Sequence, residues 1–316
     1  MSLGRIIKFM TDKDARFLAL ARRGFYNCLP DEEYLKRKYK AILKEDLNLD
    51  NPQTYNEKLQ WLKIHDRKPI YTTMVDKYEA KRFISNTVGE QYVIPTLGVW
   101  NQFDEIEFEK LPDQFVLKTT HDSGSVVIIK NKKLFIPDNK ELDDAKKKLE
   151  KSLSKNYYYE GREWPYKNVV PRIIAEKYLT DYSSENALTD YKFFCFDGIP
   201  RIVYISHDKA KDPRTDFFDM EFNHLPIRMR DPQADVLPTR PECFEEMKVI
   251  SRKLSQGIPH LRVDFYQING TVYVGELTFY HNSGFSLVEP REWNLRLGSW
   301  IDISNCKYHY LKDNYR

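Results

Sequence analysis

From about Asp12 to Ile84 the apolar positions recur at helical spacing. Leu35, Tyr39, Leu43 and Leu47 stand at intervals of four and would line one face of a helix. Leu59, Leu62 and Ile64 follow the loop Asn51-Pro52-Gln53-Thr54, where Thr54 is placed to cap a helix and Glu57 to return the bond. Asp76 to Phe83 reads as another helix. The pattern then changes. Val93-Ile94-Pro95-Thr96-Leu97-Gly98-Val99-Trp100 predicts a short strand interrupted by proline. Phe115–Lys118 and Val126–Ile129 are apolar runs flanking a small polar loop, which predicts a hairpin with a mobile tip. A charged helix from Asp143 to Leu153 and an aromatic, basic loop around Tyr157 to Trp164 come next.

The second half is richer in strands. Ile173 to Leu179 is apolar up to a charged end. Asp190–Phe196 and Arg201–Ser206 flank Asp197-Gly198, and His260–Ile268 and Thr271–Phe279 flank Asn269-Gly270; both dipeptides favour tight hairpin turns. A helix is expected from about Glu242 to Ser255. Helices segregate from antiparallel hairpins, and no internal repeat is visible, so the fold class is α+β.

At 316 residues and 41% apolar, the chain has material for two or three subdomains. Charged residues make up 31%, which excludes a membrane-embedded protein, and a net charge of +3 gives no field pointing to nucleic acid. Cys28, Cys195, Cys243 and Cys306 are far apart, with no CxxC pair and no zinc-type cluster, which favours a reduced, cytoplasmic chain over two disulfides. The amino-terminal stretch carries charges every few residues and lacks the apolar core of a secretory signal. Phe17 to Phe25 can be read as a basic amphipathic helix touching a membrane surface, or as an ordinary packed helix.

Three places can carry chemistry. In the last hairpin, alternation puts Arg262, Asp264 and Tyr266 on one face and Glu276 with Thr278 on one face of the partner strand. A tight turn would bring Asp264 near Glu276, although a slip of one residue reverses the face. Two adjacent carboxylates repel unless a cation lies between them, and Mg²⁺ is the usual one beside phosphates. Arg262 suits a transferring phosphoryl group. The plainer reading is a solvated strand face. Lys118 ends an apolar strand just before His121-Asp122-Ser123-Gly124-Ser125, whose amides can cradle phosphate oxygens, or which can be a simple turn. No P-loop motif exists. Glu176-Lys177-Tyr178-Leu179 can present backbone groups to an adenine edge.

In order along the chain, these features resemble the ATP-grasp superfamily, and more closely its TupA-like, teichuronopeptide-biosynthesis branch among bacterial surface-polysaccharide enzymes. The resemblance rests on Tyr55-Asn56-Glu57-Lys58-Leu59-Gln60-Trp61-Leu62, Asp76-Lys77-Tyr78, Phe115 to Gly124, Asp190-Tyr191-Lys192-Phe193, Arg262-Val263-Asp264-Phe265 and Gly275-Glu276-Leu277-Thr278, and runs from about Leu29 to Ile303. It implies an ATP-grasp fold with a helical region at 1–112, a lid at 113–180 and a carboxy-terminal subdomain at 181–316. It implies ATP and Mg²⁺ as cofactors. Lys77, Lys118, His121, Ser123, Gly124 and Ser125 would hold phosphates, and Glu176, Tyr178 and Leu179 adenine. Lys192 and Arg262 would face the transferred group, and Asp264 and Glu276 the metal. Many members carry Asn where this chain has Thr278, so Asn282 in Tyr280-His281-Asn282-Ser283-Gly284 is the substitute ligand, with His281 a further substrate contact.

The resemblance further implies an amide ligase working through an acyl phosphate. Its substrates would be a uronic or amino acid and an amine, in capsule or surface-polysaccharide assembly. Arg201, Arg214 and Arg291 are candidates to hold a carboxylate or sugar phosphate, and Tyr157, Tyr158, Tyr159 and Trp164 to stack on sugar rings. The alternative is a glycosyltransferase using a nucleotide sugar, although no compact DxD exists and Asp212 to Asp219 is spaced wrongly. A non-catalytic nucleotide-binding scaffold is the third reading. Neither nucleic acid nor a transmembrane segment is expected, and contact with the inner membrane face stays open.

Overall fold

The computed structural model describes residues 9–136, 139–181, 188–207, 213–304 and 306. Asp212 and residues 1–8 therefore lie outside the described residues. The helices Lys13–Ala21, Asp31–Leu43, Tyr55–His65, Pro69–Val75 and Glu79–Val88 form the first part of the chain. The expected capping box is present: Glu57 N–H donates to Thr54 Oγ1 at 3.2 Å, and Thr54 N–H donates to Glu57 Oε2 at 2.9 Å. In the stretch from Phe17 to Phe25, the Phe17 ring packs 4.9 Å from Tyr26 and 6.0 Å from Tyr34, while Phe25 is exposed.

Two antiparallel sheets carry the rest. The first contains β1 (Thr96–Trp100), β2 (Phe115–Thr119), β3 (Val127–Ile129) and β4 (Ile173–Lys177), in the order β1-β4-β2-β3. β1 joins this sheet from the segment before residue 113. Phe115, Leu117, Ile129, Ile173 and Ala175 bury one side of it, together with Leu149 of the helix Asn139–Leu153.

The second sheet contains β5 (Asp190–Phe196), β6 (Ile199–His207), β7 (Arg214–Asp219), β8 (His224–Leu225), β10 (His260–Ile268) and β11 (Thr271–Thr278). Its order is β11-β10-β5-β6-β7-β8. A two-stranded ribbon pairs β9 (Arg228–Met229) with β12 (Val288–Glu289). The hairpin turns predicted at Asp197-Gly198 and Asn269-Gly270 have φ of 49° and 77°, and of 50° and 76°. Two consecutive left-handed residues make the turn whose twist matches the strands it joins.

Strand alternation gives this sheet an apolar face and a working face. The helix Phe244–Leu254 covers the apolar face, with Phe244 packed 5.3 Å from Phe193. On the other face Tyr55, from the helix Tyr55–His65, packs against Phe194, Phe196 and His260. The same face presents Lys192, Arg262 and Asp264, because Arg262 pairs with Phe194 and Asp264 with Lys192 in the ladder. All four cysteines are free. Among the described residues no helix is long and apolar enough to cross a membrane.

Candidate active site

The hairpin of β10 and β11 builds the centre of the site. Its ladder pairs Arg262 with Thr278 and Asp264 with Glu276, as the alternation predicted. A bulge at Gly275 makes this possible. From the turn the pairing runs Ile268 to Thr271 and on to Phe265 with Val274, a register that would set Asp264 against Gly275. One extra residue on β11 brings Glu276 opposite Asp264 instead.

The two carboxylates are treated unequally. Arg262 grips Asp264 with two bonds of 2.7 Å, from Nε to Oδ1 and from Nη2 to Oδ2. Lys192 Nζ lies 3.3 Å from Asp264 Oδ2 and 2.9 Å from Asp190. Burial works against the charge on Arg262 and on Lys192, but the facing carboxylates outweigh it and raise both pKa values. Among the described residues the ion-pair contact of Glu276 is Lys77 Nζ at 4.0 Å, and its side chain is 30% exposed.

Arg262 Nη1 also meets His281 Nδ1 at 2.7 Å, and Nη2 donates to Thr278 Oγ1 at 3.0 Å. A guanidinium only donates, so Nδ1 of His281 is the acceptor and a neutral ring carries its proton on Nε2. Burial first, and then the charges of Arg262 and Lys192, push the His281 pKa well below its usual value, which keeps the ring neutral. Asn282 Nδ2 lies 3.1 Å from Nε2 and donates to Ser286 Oγ at 2.9 Å. Asn282 thus reaches the carboxylates through His281 and Arg262 and makes no hydrogen bond to either among the described residues. The expected substitution of Asn282 for the missing asparagine at Thr278 gains no contact here.

The turn bearing His281 is held from below. Asn282, Ser283 and Gly284 have φ of 47°, 56° and 65°. Gln60 Nε2 donates to the carbonyls of Ser283 and Gly284 at 3.2 and 2.8 Å. Lys63 Nζ, fully buried, donates to the carbonyls of Ser283 and Gly161 and to Gln60 Oε1 at 2.7, 2.8 and 2.9 Å. Burial pulls the Lys63 pKa down to about 7. Sequence reading missed this clamp; Asn56, Gln60 and Lys63 do fall on one helical face, a polar stripe that would have signalled a buried polar contact.

Across from this centre stands the four-stranded sheet. Glu176, at the end of β4, is buried between Lys118 at 2.6 Å and Lys81 at 2.7 Å. Lys81 was not anticipated. Burial favours the protonated acid, but the two ammonium groups outweigh it and hold the Glu176 pKa below its ordinary value. Tyr178 and Leu179 follow half-buried. Lys77 Nζ donates to the carbonyl of Asp122, and its own N–H donates to Thr120 O at 2.9 Å, so Lys77 ties the loop after β2 to the site.

Within that loop the roles differ from expectation. Asp122 is its hub, accepting from Ser125 Oγ at 2.6 Å and also from Thr119 and Ser152. His121 Nε2 lies 3.1 Å from the carbonyls of Ser152 and Lys155, so it is a donor locked to the end of the helix Asn139–Leu153. The His121 and Ser125 side chains are therefore engaged in loop structure, which leaves the expected phosphate cradle to the loop's backbone amides. Ser123 and Gly124 are exposed, and nothing lies within 4 Å of where a Cβ on Gly124 would be, so their backbone stays open to a ligand.

The wider candidates scatter. The Arg201 guanidinium sits over the Trp300 ring, and Arg214 donates to Gln233 O at 3.1 Å. Tyr158 and Tyr159 flank the buried Arg162, and Tyr157 packs 4.9 Å from Tyr166. Arg291 lines a separate groove.

Asp264 uses three of its roughly four lone-pair positions on Arg262 and Lys192, which leaves one, while Glu276 keeps all of its own. That donor set fits a hard divalent cation between the two strands, with water or phosphate completing the shell. No cluster of three or more His, Cys, Asp or Glu at metal spacing exists among the described residues. The cavity bounded by Lys77, Lys81, Glu176 and Val274–Leu277 is about 20 Å³. That is water-sized.

A family model described as TupA-like ATPgrasp matches residues 57–302. No curated protein matches the chain. Among solved structures, a D-alanine–D-alanine ligase from Bacillus anthracis is 15% identical with a TM-score of 0.36, the match covering 84% of this chain and 71% of that one. The corresponding ligase from Helicobacter pylori is 15% identical with a TM-score of 0.39, covering 78% and 69%. The ATP-grasp ligase PsnB, complexed with minimal precursor, Mg and ADP, is 10% identical with a TM-score of 0.38, covering 83% and 65%.

Proposed function

The chain belongs to the TupA-like ATP-grasp family, and from that premise we propose that it is an ATP-dependent carboxylate–amine ligase. The substrates in this reading are a uronic or amino acid and an amine, and the setting is surface-polysaccharide assembly in the cytoplasm. The observation that carries it is the opposed pair Asp264 and Glu276, one gripped by Arg262 and Lys192 and the other left open, facing a lysine-rich sheet.

In this reading a substrate carboxylate oxygen attacks the terminal phosphorus of ATP, and ADP departs. The amine nitrogen then attacks the acyl carbon, phosphate leaves, and one proton is lost from nitrogen. Magnesium, when bound by Asp264 and Glu276, would neutralise charge on the phosphates. Lys192 sits beside Asp264 and would meet the transferred phosphoryl group. Arg262 is a positioning residue as much as a donor, since its guanidinium already serves Asp264, His281 and Thr278. Lys77 links the 120s loop to Glu276, so loop closure and carboxylate placement move together and exclude water from the activated acid. The carboxylate needs activation because its resonance makes it a poor electrophile; charge neutralisation and alignment then supply most of the catalysis.

The test is thermal shift followed by ADP release. A ligand at about a hundred times its dissociation constant stabilises by roughly 2.7 kcal/mol. Mg-ATP should raise the melting temperature of the wild type and not of Glu276→Ala, and an acid plus an amine should release ADP. A shift with UDP-sugars and none with Mg-ATP would overturn the ligase reading in favour of glycosyl transfer.

A further inference from the structure

The first 25 residues carry six Lys and Arg against two Asp and Glu, a net +4, while the whole chain carries +3. The positive balance is therefore concentrated at one end, ahead of residues 57–302 that match the family. That charge is unspent. Lys13, Arg16, Arg22 and Arg23 are exposed, and none of them forms an ion pair among the described residues. The two acids are occupied. Asp12 Oδ1 caps the helix Lys13–Ala21 by accepting from the N–H groups of Asp14 and Ala15 at 2.9 and 3.0 Å, and Asp14 pairs with Lys44 at 2.8 Å.

The apolar side chains of the segment are poorly covered as well. Six of the nine residues of this helix are apolar, yet none of the nine is buried. Phe17 leans on Tyr26 and Tyr34, which occupies one face. Met10 and Phe25, at the two ends, are 69% and 66% exposed. The backbone beside each is pinned. Arg16 Nη1 donates to the carbonyl of Met10 at 3.1 Å. At the other end Gly24, with φ of 83°, reverses the chain, and the Phe25 N–H returns to the carbonyl of Leu20 at 3.2 Å. Phe25 is thereby fixed beside the helix end that carries Arg22 and Arg23. A nine-residue helix is about 14 Å long, so both ends can touch one flat surface together.

Exposed apolar groups interspersed with unpaired cations are the complement of a bilayer interface, where apolar groups enter among the headgroups and basic residues meet anionic lipids. A polyanion such as nucleic acid would use the cations and leave Met10 and the apolar helix in water. We propose that the segment from Met10 to Phe25 docks on an anionic lipid bilayer, with Met10 and Phe25 in the headgroup layer and Lys13, Arg16, Arg22 and Arg23 on the anionic headgroups. The segment is tied to the reaction centre. Arg162 Nη2 donates to the carbonyls of Tyr26 and Asn27 at 2.8 and 3.2 Å. Its neighbour Gly161 accepts from Lys63, which also holds Ser283 in the turn bearing His281. Docking would therefore orient the reaction centre relative to the membrane.

Sedimentation of the full chain with vesicles of equal parts phosphatidylcholine and phosphatidylglycerol, and with vesicles of phosphatidylcholine alone, tests this. The chain should bind the anionic vesicles about tenfold or more tightly, because each basic residue adds to the attraction. Salt at about 0.5 M should remove most of that preference. The double variant Arg22→Ala/Arg23→Ala should weaken binding about tenfold, and Phe25→Ala about fivefold. These side chains are exposed, so the melting temperature should stay at the wild-type value. Lys130→Ala/Lys133→Ala removes the same charge from exposed positions elsewhere and should bind as the wild type does. No binding to anionic vesicles, equal binding to neutral ones, or equal losses in the two double variants would overturn the proposal. So would a wild type that ignores vesicles and whose mass in light scattering falls with Phe25→Ala, which would assign the face to a second copy of the chain. The proposal does not rest on the ligase reading, which fails separately through the absence of a Mg-ATP shift.

Discussion

Asp264 stands opposite Glu276 in the ladder of β10 and β11, and the close neutralising contacts fall on Asp264, while Glu276 has only Lys77 at 4.0 Å. Glu276 keeps part of its exposure. An arrangement of this kind holds one carboxylate in place and reserves the other for something that arrives.

Glu276→Gln should cost little stability, up to about 1 kcal/mol, because only the 4.0 Å contact with Lys77 is lost from a partly exposed side chain. ADP release should fall by about a hundredfold or more, the scale seen when one charge-stabilising group is removed from a reaction centre. Urea denaturation and a coupled ADP assay measure the two effects on the same sample.

Asp264→Asn should do the opposite to the fold. It leaves Arg262, 8% exposed, without its anion. Breaking one side of such a buried pair costs about 3–5 kcal/mol. Chemical denaturation should show the loss, and a variant as stable as the wild type would contradict the bidentate pair.

Glu176 sets an acid limit. Its folded pKa lies below the ordinary 4.5: burial alone would raise it, and Lys118 and Lys81 outweigh burial. The unfolded chain therefore binds the proton more readily than the folded one as pH falls. The stabilisation is complete above the unfolded value and is lost as pH drops through the folded one. Denaturation midpoints taken from about pH 6 to about pH 3 should fall in the wild type, and this part of the curve should flatten in Glu176→Gln.

Gly275→Ala tests the bulge. A Cβ there would come within 2.8 Å of the Tyr266 ring. Overpacking of that order costs about 1–3 kcal/mol, and relief by loss of the bulge would turn Glu276 away from Asp264. Mg-dependent ATP binding should weaken together with stability. A variant that binds Mg-ATP normally would show that the bulge is not what sets the pair.

Much of this fold was legible because the signals are local. Thr54 and Glu57 identify a helix start from side chains three residues apart, and Asn269-Gly270 and Asp197-Gly198 announce tight turns from backbone preference alone. The Asp264–Glu276 pairing was half legible. Alternation named the residues, while a strict count from the turn puts Gly275 opposite Asp264, and only the bulge repairs it. The internal bonding of the 120s loop was not legible, because a small polar loop reads the same whether or not its side chains are tied to Asp122 and to the end of the following helix.

What the sequence determined by itself was most of the helices and strands up to residue 206, the helix before residue 255 and the two hairpins, but not the strands between 214 and 229 or the helix Arg291–Ser299. The elements it determined depend on neighbours within a few positions, where spacing and turn preference act directly. Only the tertiary structure decided how charge is shared: Arg262 with Asp264, Lys81 and Lys118 with Glu176, and Lys63 beneath the turn bearing His281. These partners lie between two and some two hundred residues apart. Burial strengthens each pairing by removing the water that would screen it, and burial is a property of the packed sheets and helices, not of any stretch of sequence.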